Sequence, residues 1–355
     1  MRWMWTVGCA LTTLLFATFV AEAQWLSQPT PGLPRNAEGR VEVDGPPPRS
    51  PDGRPDLSGL WRVELAPVFA FNITADVDPA SISTVASELS HARMLDFGKD
   101  DPSSIGCLPL GPRWVARGGL TKVIHTPTLV VLLYEDLSYR QIHLDGRSLP
   151  KDPNPSFMGY SVGRWEGDTL VVESNGFNDR TWLDFGGHPH TEQLTMVERF
   201  RRVSFGRIER HVTLTDSELY RQPITVPAVM HLAPDTELLE YVCAENPVSR
   251  PRLSGSTDAQ RRLVIPPDVL ASYVGTYEAT GRVSFGVTVV TVSTSNGQLF
   301  VDVNGKGHLL MIPLSQTMFT PRMLGTFEFV RDSNGTVTHL IAHETEGSHR
   351  FNRKP

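Results

Sequence analysis

The 355-residue chain has only three cysteines, and one of them, Cys9, falls in its first ten residues. The other two, Cys107 and Cys243, stand far apart in sequence and cannot by themselves build a zinc site. After residue 23 no stretch is apolar enough to cross a bilayer, which excludes a membrane-spanning helix there and makes a soluble mature protein the expectation. Excess positive charge is missing too. With 33 Lys and Arg against 39 Asp and Glu, the net charge is −6, and such a chain lacks the basic surface that nucleic acid requires.

What is present begins with MRWMWTVGCALTTLLFATFVAEA. Arg2, an apolar run and Ala21-Glu22-Ala23 have the n-region, h-region and small-x-small site of a secretory signal peptide, residues 1–23, cleaved after Ala23. A secreted or periplasmic location follows as the expectation. Cys9 leaves with the signal. In an oxidising compartment Cys107 and Cys243 read as a disulfide, with two buried free thiols as the alternative. Residues 24–55 hold eight Pro and four Gly, cannot bury a core, and read as a disordered or extended tether.

Helical periodicity is scarce. One helix is expected between Asp78, as cap, and Gly98, with Pro79 in its first turn and Ile82, Val85, Leu89 and Ala92 on one face. The stretches LTKVIHTP, TLVVLLYED, YRQIHLD, DTLVVES, LTMVERFRRV, RIERHVTLTD and ELLEYVC read as strands. Ile208, Arg210, Val212 and Leu214 form the inward row of one of them, Arg210 being the exception in it. Trp165-Glu166-Gly167-Asp168-Thr169 marks a hairpin. Strands without intervening helices predict an antiparallel barrel or sandwich over residues 56–245. A polar linker, 246–262, leads to a smaller antiparallel β-domain, 263–355, with a short helix, the strands VTVVTVST, QLFVDV, HLLMIPL, TFEFVRD and THLIAHE, and tight turns at Asn296-Gly297 and Asn334-Gly335. The fold class is therefore all-β.

Asp56-Leu57-Ser58-Gly59-Leu60-Trp61, entering the first strand, resembles the Gly-x-Trp opening of lipocalin-type barrels. Over residues 56–246 the stretches CLPLGP, LDGRSLPKDPNPS, GYSVGRWEGDTLVVESNGFNDRTWLD, GHPHTE and ERFRR resemble a family of uncharacterised secreted bacterial proteins, a likeness that implies no activity. The C-terminal unit is similar to a small β-domain appended to secreted serine hydrolases of the β-lactamase-like type. With the hydrolase half absent, that likeness implies an accessory role.

Chemistry concentrates in GFNDRTWLDFGGHPHTEQL, Gly176 to Leu194. Pro189 biases His188 towards an extended conformation, and an extended chain places His188, His190 and Glu192 on one face. That set suits a divalent metal such as zinc or non-haem iron, with Asp179, Asp184 or a histidine of another strand (His125, His143 or His211) as further ligand or support. Without metal, His190 or His188 is the natural general base, oriented by Asp184 or Glu192, with Arg180 holding an anionic group. The bland reading is a polar loop closing one barrel end, with Asp179 and Arg180 satisfying turn backbones and Trp182 plugging the core.

In YRQIHLD, alternation puts Tyr139, Gln141, His143 and Asp145 on one face, either a polar inner wall or, more commonly, a solvated outer one. His143 and Arg140, with Trp182 and Asp179, are the candidates for ligand contact. Gly159-Tyr160-Ser161-Val162-Gly163 matches the G-x-S-x-G nucleophile elbow, but its context is a strand and a hairpin, where small residues ease packing. Ser148-Leu149-Pro150-Lys151 matches S-x-x-K, and Pro150 and Pro153 argue against the helix that motif needs. Arg199, Arg201 and Arg202 read as partners for Glu on neighbouring strands.

Two functions follow. One is a binding protein for a small apolar or aromatic molecule, with an apolar interior and the His-Pro-His loop at the rim or outside. The other is an enzyme (lyase, isomerase, cyclase or hydrolase) whose histidines, Glu192 and an Asp converge in one pocket facing His143 or Arg180. A structural envelope module is a third reading.

Overall fold

The computed structural model describes residues 28–65, 67–95, 98–243, 263–281, 283, 287–321, 325–344 and 347–354. The expected signal peptide and the linker 246–262 lie outside the described residues. Among those described, the strands close into two barrels, of nine and eight strands. Closure leaves no unpaired sheet edge in either. No described helix is long and apolar enough to cross a membrane.

The first barrel runs in sequence order through β1 (Gly59–Leu65), β2 (Gly119–Thr126), β3 (Leu129–Tyr134), β4 (Tyr139–His143), β5 (Tyr160–Glu166), β6 (Thr169–Asn175), β7 (Thr195–Ser204), β8 (Arg207–Thr215) and β9 (Ile224–Leu232). Strand β9 pairs back on β1. The expected hairpin at Gly167-Asp168 joins Glu166 to Thr169, with Gly167 at φ 60°. One junction departs from the antiparallel expectation: β4 and β5 run parallel, Ile142 opposite Ser161 and His143 opposite Val162. The long connection 144–159 supplies the crossover such a pair needs.

Two strand assignments differ. ELLEYVC, residues 237–243, is irregular and is tied down through Tyr241 N–H on the Glu135 carbonyl and through Cys243. The ninth strand is ITVPAVMHL, which Pro227 disguises. Because β1 pairs only with the part of β9 from Ala228 to Leu232, Pro227 removes no ladder bond on that side.

The expected helix is in two pieces. Asp78 caps a 3-10 turn, Pro79–Ser81, and the Ser83 hydroxyl then caps α2 (Thr84–Leu95). A short helix, α1 (Pro67–Phe71), precedes them. The buried face of α2 is also not the expected one. Ala86 and Ser90 face inward while Val85 and Leu89 are exposed. Small residues let the helix sit close, and Arg93 reaches over the Trp182 ring and onto the Gly187 carbonyl. Together α1, α2 and the segments 98–118 and 176–194 share one apolar cluster with the ends of β7, β8 and β9, forming a cap on the barrel. The Cys107–Cys243 disulfide, 136 residues apart, pins that cap.

Residues 28–55, expected as a tether, make two tight turns closed by the bridges Arg35–Val41 and Arg49–Pro55 and are bonded to the first barrel. Arg35 pairs with Asp235, Arg49 with Asp168, and Phe205 and Gly206 donate to the carbonyls of Gly45 and Val43.

The second barrel follows α3 (Pro267–Tyr273) and comprises β10 (Gly275–Ala279), β11 (Val289–Ser295), β12 (Gln298–Val303), β13 (Lys306–Pro313), β14 (Met318–Pro321), β15 (Thr326–Arg331), β16 (Val337–Glu344) and β17 (Gly347–Arg353). Three of these, β10, β14 and β17, are short or carry few apolar residues and are not evident in the sequence. Asn296 and Gly297, both at positive φ, make the tight turn expected there. Tyr273, Tyr277, Phe319 and Phe329 fill the interior, with Tyr273 stacked on Phe329 at 4.1 Å. The two barrels meet where Phe71 and Phe185 pack onto the second core, beside a shallow apolar cleft lined also by Met94, Leu309, Leu310 and Ile312.

Candidate functional site: a polar belt in the first barrel

Strand alternation sends every second side chain inward, and apolar residues fill most of those positions. Seven of the nine strands break the rule at one level: Thr121 on β2, Tyr134 on β3, Arg140 on β4, Ser161 on β5, Ser174 on β6, Glu198 on β7 and Arg210 on β8, and β7 breaks it a second time at Arg202. Their neighbours in the inward rows are apolar, as in Met196-Glu198-Phe200 and Ile208-Arg210-Val212. The result is a belt of polar groups around an otherwise apolar interior.

At its centre Glu198, fully buried, lies between two guanidiniums. Arg210 donates to Glu198 Oε1 from Nη2 at 2.8 Å and from Nε at 3.2 Å, and Arg140 Nη1 faces Glu198 Oε2 as an ion pair. Arg140 also donates to the Ser161 hydroxyl at 2.9 Å and the Ser174 hydroxyl at 2.7 Å, and its guanidinium covers the Trp114 ring at 4.5 Å. Burial acts to raise the Glu198 pKa, but Arg140 and Arg210 outweigh it and hold the carboxyl below its ordinary range. The belt thus carries two buried cations against one anion.

A cleft opens onto this belt between the cap and the barrel wall. Its closed part has room for about one or two water molecules, and the rest is open mouth. Val63, Leu120, Leu132, Phe200 and Met230 give it apolar walls, while Trp114, Tyr134, Thr121 and Arg210 give it polar points. The Tyr134 hydroxyl and the Trp114 Nε1–H are both buried without a hydrogen-bond partner. A buried donor left unpaired costs about 1–3 kcal/mol; in the same barrel Asn175 Oδ1 is likewise buried without a partner. Burial pushes the Tyr134 hydroxyl far above its ordinary range, so it remains a donor.

Trp114 owes its position to the cap. Its 3-10 turn, Gly111–Ala116, starts at Gly111 with φ 58°, where a Cβ would meet the Thr181 hydroxyl at 2.7 Å. Arg113, fully buried, makes two 2.9 Å bonds to Asp101 and stacks near Trp182. Trp182 therefore plugs the cap between Arg93 and Arg113.

The constellation expected in residues 179–192 is only partly assembled. Asp184 accepts from His188 Nδ1 at 2.6 Å, from His188 N–H and from Ile73 N–H, and His188 Nε2 lies 3.1 Å from the Thr74 hydroxyl. His190 Nε2 meets the Thr181 hydroxyl at 2.9 Å. Both rings are buried in the cap, so each Nε2 already has a partner. Glu192, Asp179 and Arg180 are exposed and do not join them. Arg180 lies over Phe157, and the turn backbone there is satisfied by Asn178, not by Asp179. The metal set His188, His190 and Glu192 is not gathered, because the chain leaves the cap after His190 and turns Glu192 to solvent. Among the described residues no three His, Cys, Asp or Glu side chains converge as a metal-binding group. His143 is on the outer face, stacked on Tyr160 at 5.3 Å, with Tyr139 and Gln141 exposed. Of the ligand candidates, only Arg140 belongs to the belt. Ser161 of the G-x-S-x-G stretch is a buried barrel residue, and a Cβ on Gly163 would meet Leu144 at 2.7 Å. Arg202 is buried and bonds backbone carbonyls of Asp56, Ser204 and Phe205 instead of a Glu.

Burial holds the His190 pKa down at about 4, against an ordinary 6.5. An unfolded chain takes up a proton below pH 6.5 that folded His190 refuses until about 4. Its contribution to stability is therefore complete above pH 6.5 and lost as the pH falls, by up to about 1.4 kcal/mol per unit. Urea unfolding at pH 7, 6 and 5 will show this slope, and His190→Gln will flatten it. Equal slopes in both proteins would contradict the assignment.

Sequence reasoning missed Glu198, Tyr134, Trp114 and Ser174. The available signal was a polar residue in an inward row, and only Arg210 was read that way. No protein-family model and no curated protein matches the chain.

Proposed function

We propose that the protein is a small-molecule binding protein, exported to an oxidising compartment, whose ligand occupies the cleft of the first barrel. The observation that carries this reading is the pair of unpartnered buried donors, Tyr134 Oη and Trp114 Nε1, lining a cleft with one apolar wall and one charged one. Protein interiors leave few buried donors unpaired, and a ligand acceptor would satisfy both. The Cys107–Cys243 disulfide supports the oxidising compartment. The polar belt revises the kind of ligand: an apolar or aromatic body with a hydrogen-bonding head, instead of a wholly apolar molecule.

A second reading, an enzyme, rests on Asp184, His188 and Thr74, which have the hydrogen-bond order of an oriented general base. Neither described cleft is lined by His188 or His190, so binding stands first. Thermal-shift and native mass measurements on the mature, oxidised protein with small aromatic and aliphatic probes test it. A bound adduct that raises the melting temperature, and is lost in Val63→Phe, which fills the cleft, is the expected result. Adducts indifferent to Val63→Phe would overturn it.

A further inference from the structure

We infer that the ligand head group is anionic, a carboxylate on a small apolar or aromatic body; this rests on the cleft of the first barrel being the binding site. Three features of the cleft carry the inference independently of its size.

The first is donor polarity. Tyr134 Oη and Trp114 Nε1 are donors without acceptors, and an indole N–H can do nothing but donate. Arg210 lines the same cleft and directs Nε and Nη2 to Glu198. A ligand that meets Tyr134 and Trp114 beside that guanidinium must bring acceptors in more than one direction, which a carboxylate does with two oxygens and about four lone-pair sites.

The second is charge. Arg140 and Arg210 share the single carboxylate of Glu198. A buried cation without its own counter-ion is unfavourable, and one further anion beside Arg210 completes the neutralisation. A cationic ligand would meet two guanidiniums and no free carboxylate at the belt.

The third is what the mouth does. Glu135 also lines the cleft, and its Oε2 accepts the Leu120 N–H at 3.1 Å, while Arg117 lies 3.5 Å from Asp136. Asp136 thus has a cationic partner at the rim, Glu135 is met there by a neutral backbone donor, and the unpartnered donors lie on the belt side. The anionic head belongs in the narrow part of the cleft, against Arg210, Tyr134 and Trp114, and the body in its open mouth.

Calorimetry with matched pairs, phenylacetate against phenylacetamide and hexanoate against hexanamide, at fixed ionic strength and pH 7, tests this on the mature oxidised protein. The carboxylate of each pair will bind about tenfold or more tightly than its amide. Tyr134→Phe, which removes one oxygen, will weaken the carboxylate about tenfold and the amide by less. Amides that bind as well as the acids, with both lost in Val63→Phe, would overturn the anionic head and leave the cleft as the site. If no member of either pair binds, or Val63→Phe changes nothing, the cleft itself is wrong. The wild-type pair comparison decides the head group even if Tyr134→Phe fails to fold.

Discussion

Glu198→Gln will cost the first barrel about 3–5 kcal/mol of stability. The substitution leaves Arg140 and Arg210, both almost fully buried, facing each other without the carboxylate that separates their charges. No rotamer change takes either to water, because Arg140 is held by Ser161 and Ser174 beneath the Trp114 ring. Chemical denaturation followed by circular dichroism reads the loss directly. Arg140→Met, Glu198→Leu and Arg210→Leu combined will be more stable than Glu198→Gln alone, because a buried ion cluster adds little net stability over apolar residues of similar volume while a broken one is costly. That triple variant, folded but without its belt, will bind none of the carboxylates. A loss below about 1 kcal/mol in Glu198→Gln would mean that the three groups form no buried ion cluster.

Removing the disulfide has a comparably large expected effect. Cys107 and Cys243 close a loop with a sequence separation of 136, and loop-closure entropy alone assigns such a cross-link about 5 kcal/mol. Its position adds a functional consequence. Cys107 precedes the turn that carries Trp114, and Asp101 and Arg113 flank it. Cys107→Ser with Cys243→Ser will therefore lower the melting temperature and also weaken ligand binding, because Trp114 loses the anchor of its segment. A reducing agent will reproduce both effects in the wild type. Melting temperatures that agree within a degree or two, with and without the bond, would contradict this role.

The parts of the fold that local chemistry decides were legible in the sequence. WEGDT and Asn296-Gly297 specify hairpins by turn geometry, and the all-β class follows from apolar alternation. Two distant cysteines were enough to read the cross-link. The site was not legible, because it is assembled by register. Thr121, Tyr134, Arg140, Ser161, Ser174, Glu198 and Arg210 come from seven strands, and each alone looks like the polar side of a half-buried strand. A shift by one residue would turn every one of them outward. Arg140 shows the ambiguity plainly: the neighbouring Tyr139, Gln141 and His143 drew attention as the polar face, and they face solvent. The His188-Pro189-His190 stretch drew attention for the opposite reason. Its residues are crowded because they bond to one another and to Thr74, Thr181 and Ile73 inside the cap. Helix α2 misled in a third way, packing through Ala86 and Ser90 because small residues allow a close approach that Val85 and Leu89 would prevent.

The most direct test of the binding reading is the indole N–H resonance of Trp114 in a proton–nitrogen correlation spectrum, assigned with Trp114→Phe and titrated with phenylacetate. Trp61 is the internal reference, since its Nε1–H already donates to the Leu57 carbonyl at 3.0 Å. If the ligand head fills the belt, the Trp114 signal will move downfield and saturate with the affinity measured by calorimetry, while Trp61 stays in place. A Trp114 signal that does not move at ligand saturation would place the ligand elsewhere and contradict the assignment of the cleft.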